Sequence, residues 1–387
     1  MRLSNQQARE LTTEYNTPLF VYSSTNLTER ANQLTQLHLP YGHTVRYAVK
    51  ANPHPAIIKL FDEAGLHFDA SSSYEVAKLL GQGIAGQKIS LSSQQPAHNL
   101  PQILQAGVHY VATSMRQLEL FAKQAPAGAH VALRVNPGVG AGHNNRTSTG
   151  GVASSFGLWH EYLPQALAFA AEKQLVVDRV HIHVGSGAHP SVWGEVMNTA
   201  LDIVRQMPDV TTLDIGGGYK IARAAGELEA DMPQIAGIFA ERLNTFAGET
   251  GRELHLEMEP GTWLVGHAGT LLAVVTDAVD TGSEGYNFLR VNTGMNDFMR
   301  PAMYGAQHTI EVLNDADEQL DYVVVGHNCE TGDILTPAPG DPEAILPHRL
   351  NKAQPGDLVA IHDAGAYCAS FSAKGYNDFP SAAEILI

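Results

Sequence analysis

Cysteine is nearly absent from this chain. Two thiols, Cys329 and Cys368, in 387 residues rule out a disulfide scaffold, and no Cys-x-x-Cys pair is present to hold zinc. Long apolar runs are missing too: no stretch approaches the roughly 18 residues of a spanning helix. The opening segment MRLSNQQARELTTEYN lacks the apolar centre of a secretory signal and is too acidic for a transit peptide, so a soluble, cytoplasmic protein is expected. Basic residues never cluster. With 24 Lys and Arg against 40 Asp and Glu, the net charge of −16 argues against nucleic acid or an anionic membrane as partner. A small anion remains compatible, because a few placed arginines suffice for it. Also lacking is the Gly-x-Gly-x-x-Gly turn that a doubly wound sheet carries after its first strand; here that strand runs into Lys-Ala-Asn-Pro.

Hydrophobic residues at 44% and charged residues at 17% describe a globular chain. From about residue 44, short β-branched runs alternate with longer amphipathic ones. Strands are expected at 44–50, 66–70, 88–92, 108–113, 130–136, 177–184, 210–215 and 254–259. Helical stretches lie between them at 54–64, 73–83, 115–124, 161–173, 191–206 and 229–248. In the last of these, Met232, Ile235, Ile238, Phe239 and Leu243 follow helical spacing. Eight strand–helix units over roughly 220 residues predict an α/β fold of the (β/α)8 TIM-barrel type. Beyond about residue 262 the rhythm changes to strand runs at 269–279, 287–292, 320–326 and 357–362, which predicts a β-rich second domain. An acidic surface loop is expected at 312–321.

In such a barrel, chemistry gathers at the C-terminal ends of the strands. Lys50 ends the first expected strand, Asp69 the second, and Arg134 lies near the end of the fifth. His183 ends the sixth, Gly216-Gly217-Gly218 follows the seventh, and Glu259 ends the eighth. A lysine after an apolar strand is expected to be partly desolvated, which lowers its pKa and frees the amine for Schiff-base chemistry; alone, it reads equally as a solvent-seeking strand end. The three glycines let backbone N–H groups close on a phosphate, although a glycine run alone is more often a tight turn. His181 and His183 share one side of a strand, but no third metal ligand is apparent, and no metal is expected. One imidazole stacked on an aromatic cofactor fits better, with Ser186 and Gly187 lining the turn behind it. Glu259 can face a pyridine nitrogen and keep it protonated, or form a rim ion pair with Arg134.

The ordered motifs YAVKANP, HVGSG, DIGGGY, EPG, RPAMYG, CETGD and GAYCASFS resemble those of the diaminopimelate decarboxylases, fold-type III enzymes that use pyridoxal 5'-phosphate. The resemblance runs from TPLFVY at 17–22 to YND at 376–378. It implies a cofactor-binding barrel over 25–262 and a β-rich domain formed by 1–24 with 263–387. It also implies a homodimer with shared active sites. On this resemblance Lys50 is the Schiff-base lysine and His183 stacks on the ring. Gly216, Gly217, Gly218 and Gly261 hold the phosphate, Glu259 meets the pyridine nitrogen, and Tyr367 approaches the cofactor. Asp69, Arg134 and Ser186 complete the cofactor set. Cys329 is the proton donor from the other subunit, Glu330 receives the substrate's distal ammonium, and Arg300 with Tyr304 grips its distal carboxylate. Cys368 reads as packing. The polar, glycine-rich stretch 140–161 is expected to act as a lid or a dimer contact.

The implied reaction is decarboxylation of meso-diaminopimelate to lysine. One departure bears on it: the family's Glu-Pro-Gly-Arg reads Glu-Pro-Gly-Thr here, with Thr262 at the substrate-binding position. A lost guanidinium removes contacts worth about 1.5–3 kcal/mol each. Three explanations stay open: Arg300 suffices, another arginine such as Arg146 reaches in, or the substrate is a different one. D-lysine, D-ornithine and a conjugated diamino acid are the alternatives of the last kind. A racemase of the same fold, a non-catalytic cofactor carrier and a metal-dependent hydrolase are the rival readings.

Overall fold

The computed structural model describes residues 1–140 and 149–387. Arg146 and the middle of the 140–161 stretch lie outside the described residues. Eight parallel strands form the barrel: β1 (His43–Ala48), β2 (His67–Ala70), β3 (Ile89–Ser92), β4 (His109–Ala112), β5 (His130–Asn136), β6 (Val176–His181), β7 (Thr212–Asp214) and β8 (His255–Met258). Each pairs with the next, and β8 closes on β1 through Leu256 opposite His43. All eight expected strands are present, with ends that differ from the expected ones by at most three residues. Lys50 consequently lies not in a strand but in the 3-10 turn Val49–Ala51, and His183 sits two residues past β6.

The helices follow the predicted periodicity. The segment expected at 229–248 forms a helix at Met232–Thr250, started by Asp231, whose side chain accepts from Gln234 N–H, and stopped by left-handed Gly251. Met232, Ile235, Phe239 and Leu243 are buried, each contributing about 1.5–3 kcal/mol of burial energy. Ile238 is only half-buried, beside Gly194 of the helix Pro190–Arg205. Helices at Asn5–Tyr15, Ser24–Thr35 and Leu100–Gln105 were not anticipated. The first two are mostly polar, so their apolar stripes are thin; the last spans 6 residues, too short for a clear period.

The C-terminal part is a mixed sheet built on the long strand Gly269–Asp280, which pairs with Asn287–Val291 and Leu358–Ile361. Strand Leu19–Tyr22 inserts between Gly269–Asp280 and Ala383–Leu386, so the N-terminal segment joins this sheet after its helix. Of the acidic stretch at 312–321, residues 313–318 form a loop and Gln319 already begins the next strand.

Side chains inside a small barrel are usually branched and apolar. Here the lower interior is charged. Arg46 on β1 donates to Glu257 on β8 at 2.7 Å, and Arg179 on β6 bridges Glu257 and Asp214 on β7, the latter at 2.8 Å. All four side chains are buried. Burial works against charge on Glu257, but Arg179 and Arg46 outweigh it and hold its carboxyl below the usual range.

A second cluster joins the barrel to the sheet domain. His267 contacts Asp363 at 2.6 Å through Nδ1 and Glu229 at 2.8 Å through Nε2, and Arg30 holds the other oxygen of Glu229 at 2.6 Å. Burial would lower the His267 pKa, but the bonds to Asp363 and Glu229 win and raise it. Burial likewise opposes charge on Glu229, yet His267 and Arg30 pull its carboxyl down to about 2.

Two outcomes follow. Arg179→Met, which leaves Asp214 and Glu257 facing each other, is expected to cost about 3–5 kcal/mol in chemical denaturation; a loss below about 1 kcal/mol would show that the ladder is dispensable. The His267 contribution is complete below its usual pKa of 6.5 and is lost as pH rises through the raised folded value. The Glu229 contribution is complete above 4.5 and is lost as pH falls toward about 2. The thermal stability of the wild type therefore falls as pH climbs above 6.5, whereas His267→Gln lacks that limb; parallel curves would contradict this.

Candidate active site

The turn carrying Lys50 is held from both domains. Tyr47 Oη donates to Asn52 O at 2.8 Å, and Asn52 Nδ2 donates to Gly365 O at 3.1 Å. Ala51 O accepts from Tyr367 N–H at 2.8 Å and from Ser370 Oγ at 3.0 Å. Thus YAVKANP and GAYCASFS, more than 300 residues apart, are stitched together. Tyr367 has a φ of +54°, a left-handed conformation that a bulky side chain adopts only when its surroundings over-determine it. That bend brings its hydroxyl beside Gly261: a Cβ at Gly261 would lie 3.2 Å from Tyr367 Oη and 3.0 Å from Ala51 Cβ.

Lys50 Nζ donates to Asp69 at 2.8 Å and to Ser71 Oγ at 3.1 Å, with 43% of its side chain exposed. This corrects the expectation drawn from strand position. Burial does pull the amine toward neutrality, but the charges of Asp69, Tyr367 and Glu259 outweigh it, and the pKa is raised. Lys50 is held as an ammonium, not freed as an amine. Desolvation was legible in the apolar strand; the nearby carboxylates come from other strands.

Above the Arg46–Glu257–Arg179 ladder lies a second interior layer. Asp214 accepts from Gly216 N–H at 3.0 Å as well as from Arg179. His181 lies 3.4 Å from Glu259 Oε2 and 3.4 Å from Ser92 Oγ. Burial, followed by the field of Arg134, pushes both His181 and His183 well below their usual range, so both imidazoles are neutral. Burial and the neighbouring Asp214 and Asp69 push the Glu259 carboxyl well above its usual range. Glu259 makes no ion pair with Arg134, whose guanidinium lies 4.8 Å over the Phe156 ring.

His181, Asp214 and Glu259 also offer three ligand atoms within 4.8 Å of one another, the set that sequence spacing did not disclose. His183, the other histidine considered for a metal, is not part of it. Both Asp214 oxygens already accept hydrogen bonds, one of them from Arg179, whereas His181 Nε2 and Glu259 Oε1 keep no hydrogen-bond partner.

The glycine turn closes tightly. Gly216 and Gly218 have φ of +72° and +105°, and a Cβ on Gly217 would lie 2.0 Å from Glu259 O. No side chain fits here, so backbone alone faces the rim. Gly217 N–H donates to His183 Nδ1 at 3.3 Å, which fixes the imidazole against Gly216. Ser186 adjoins Gly218, whose carbonyl accepts from Gly187 N–H at 3.0 Å.

Pyridoxal phosphate fits this set. Glu259 Oε1 is buried with no partner, and its carboxyl is too crowded by Asp214 and Asp69 to hold a charge unaided. A ring N–H opposite Oε1 supplies both the missing donor and the missing positive charge. Lys50, Asp69, His183, Gly216–Gly218, Glu259, Gly261 and Tyr367 converge on this rim.

Cys329 and Glu330 do not converge with them. Both are exposed, and Cys329 N–H donates to Asn377 Oδ1 at 2.7 Å while Glu330 Oε2 accepts from Tyr376 Oη at 3.3 Å. Arg300 and Tyr304 occupy the short helix Arg300–Tyr304, where Tyr304 stacks on Phe371. Thr262 opens the helix Thr262–Val265 just after Gly261. Cys368 is buried, its thiol pushed up to about 11 by burial. Sequence reading missed Ser71, Arg179 and Asp214. A charged residue inside an apolar strand was the available signal for Arg179 and Asp214, whereas a serine after a strand carries none.

Known proteins resemble this chain over nearly all of its length. The sequence profile of the pyridoxal-dependent decarboxylase, pyridoxal binding domain, matches residues 25–266. A diaminopimelate decarboxylase of Streptomyces coelicolor is 34% identical over 386 residues, covering 97% of this chain and 85% of the relative. A crystal structure of a diaminopimelate decarboxylase superposes with a TM-score of 0.90 at 30% identity, covering 99% of this chain and 92% of the other. The M. jannaschii diaminopimelate decarboxylase in complex with L-lysine superposes with a TM-score of 0.87 at 26% identity, over 98% and 89% of the two chains. With a pyridoxal-binding profile over residues 25–266 and relatives matched over most of their length, this chain belongs to the pyridoxal-phosphate-dependent decarboxylases, in the diaminopimelate decarboxylase family.

Proposed function

We propose that the protein decarboxylates meso-diaminopimelate to lysine, as a homodimer in the cytoplasm whose active sites are shared between subunits. The unpartnered Glu259 Oε1, on the same rim as Lys50, carries the mechanistic part of this reading. Bound pyridoxal phosphate supplies the electron sink for the pair left on the α-carbon as carbon dioxide departs. The chain's residues do the rest. Lys50 provides the amine that holds the cofactor, and Asp69 with Ser71 orients it. Glu259 keeps the ring nitrogen protonated, backed by Asp214 and Arg179. Neutral His183, fixed by Gly217 N–H, offers a flat face, and the turn Gly216–Gly218 with Gly261 receives the phosphate. Arg134 and Ser186 complete the cofactor set.

Arg300, Tyr304 and Tyr367 with Thr262 line the substrate end. Cys329 and Glu330 belong to the neighbouring subunit's site: both are exposed and, among the described residues, bond only to residues of the sheet domain. Cys329 protonates the α-carbon after carbon dioxide leaves, and Glu330 receives the distal ammonium. The L-lysine held by the M. jannaschii relative supports the product assignment. The described flank 149–161 is assigned as a lid or dimer contact.

The substrate test compares meso-diaminopimelate with D-lysine, D-ornithine and L-ornithine, following carbon dioxide and product. Fast release of carbon dioxide and lysine from meso-diaminopimelate is expected. Racemisation without carbon dioxide, or turnover confined to the monocarboxylates, sinks the assignment. Shared sites are tested by mixing Lys50→Ala and Cys329→Ala proteins, each inactive alone. Subunit exchange is expected to restore about a quarter of wild-type activity, since half the dimers are hybrids with one intact site. No recovery despite demonstrated exchange means that each subunit completes its own site.

A further inference from the structure

Two arginines without a carboxylate partner act on each other as like charges, and one of them lies beside the helix that bears Thr262. Arg223 lies on the segment following the glycine turn, and Arg300 opens the helix Arg300–Tyr304. Arg223 Nε and Nη2 and Arg300 Nε are sealed from solvent and have no partner. Among the described residues no carboxylate forms an ion pair with either side chain, although Arg30, Arg46 and Arg179 each have one. The nearby acids are committed elsewhere. Glu227 accepts from the Arg223 backbone N–H at 2.7 Å, and Asp363 holds His267.

The position is not accidental packing of a loop. The Arg223 backbone is fixed on its other side by Thr309 Oγ1, which donates to Arg223 O at 3.0 Å. Its Nη2 lies 3.8 Å from where a Cβ on Gly266 would be. Gly266 is four residues after Thr262, so both lie on one face of the same helical turn. The side chain that glycine lacks at 266, and the guanidinium that threonine lacks at 262, leave that face to Arg223. Burial and then the like charge of Arg300 push the Arg223 pKa down to about 9, and the same two arginines add to burial in keeping His308 neutral. Tyr367 feels the charges of both Lys50 and Arg300, so Arg300 and the cofactor lysine are near one tyrosine.

Two half-buried guanidiniums with sealed, unpartnered nitrogens are costly in the free protein and become favourable once a carboxylate arrives. We infer that Arg223 and Arg300 form the seat for the substrate's distal carboxylate, with Arg223 supplying from the β7 side the guanidinium that Thr262 does not supply from the β8 side. This rests on the dicarboxylic substrate proposed above, and it makes the Thr262 departure a relocation of charge.

The test uses the cofactor-loaded wild type, Arg223→Met, Arg223→Lys and the double variant Arg223→Met/Thr262→Arg. Two affinities are measured: KM for meso-diaminopimelate, and the Kd of pimelate, a dicarboxylate of the same chain length without the amines. Arg223→Met is expected to raise both by about tenfold or more, with Arg223→Lys intermediate and Thr262→Arg restoring the loss. Arg223→Met is also expected to melt at a higher temperature than the wild type, because an unpaired buried charge is gone; a merely structural arginine would do the reverse. Unchanged KM and pimelate affinity in Arg223→Met overturn the seat, as does a lower melting temperature with affinity intact. If the wild type does not turn over meso-diaminopimelate, the substrate reading fails while pimelate still decides the seat. Binding that depends on Arg223 upholds it, and no binding to the wild type overturns it.

Discussion

Arg179 is the side chain on which the barrel interior depends. It neutralises Asp214 and Glu257 together, inside a space where an unpaired carboxylate is costly. Having done so, it leaves Glu259 and Asp69 one layer higher without a full counter-charge. Lys50 meets Asp69, and Glu259 keeps an oxygen free. The polarity of the rim is therefore set from below. In the lower ladder each carboxylate is paired with a guanidinium, whereas the upper layer is short of positive charge and so suited to a cationic ring.

The second constraint is the contact between domains at the lysine turn. The sheet domain sends Gly365, Tyr367 and Ser370 onto Asn52 and Ala51, fixing the backbone immediately after Lys50. Tyr367 accepts a left-handed backbone to do so. The barrel thus does not carry its site alone: the turn that presents the lysine is completed by a strand-and-loop unit more than 300 positions away. The Glu229–His267–Asp363 cluster reinforces the same seam with charge.

Much of this was readable in the chain. Strand and helix periods are local, so all eight barrel strands and the helix at Met232–Thr250 could be placed from hydrophobic spacing, with errors of at most three residues at the ends. The polar residues at strand ends then identified one rim. The lowered pKa expected for Lys50 is overturned because its ionisation is decided by Asp69, Tyr367 and Glu259, not by its own strand. His181 and His183 looked equivalent by alternation. Only the fold separates them, putting His181 against Glu259 and His183 against the glycine turn.

The sequence alone determined the barrel, the β-rich second domain and the motif set, because each rests on neighbours within a few residues. Tertiary structure decided which charges are spent and which are available. Glu257 and Glu259 differ by two positions and are alike to any local reading, yet one is held down by Arg46, 211 residues away, while the other keeps an unpartnered oxygen. Arg223 and Arg300 likewise carry no shared local signal. Coulomb energy in a desolvated interior depends on distance through space and on who else is buried nearby, and only the folded chain sets those distances.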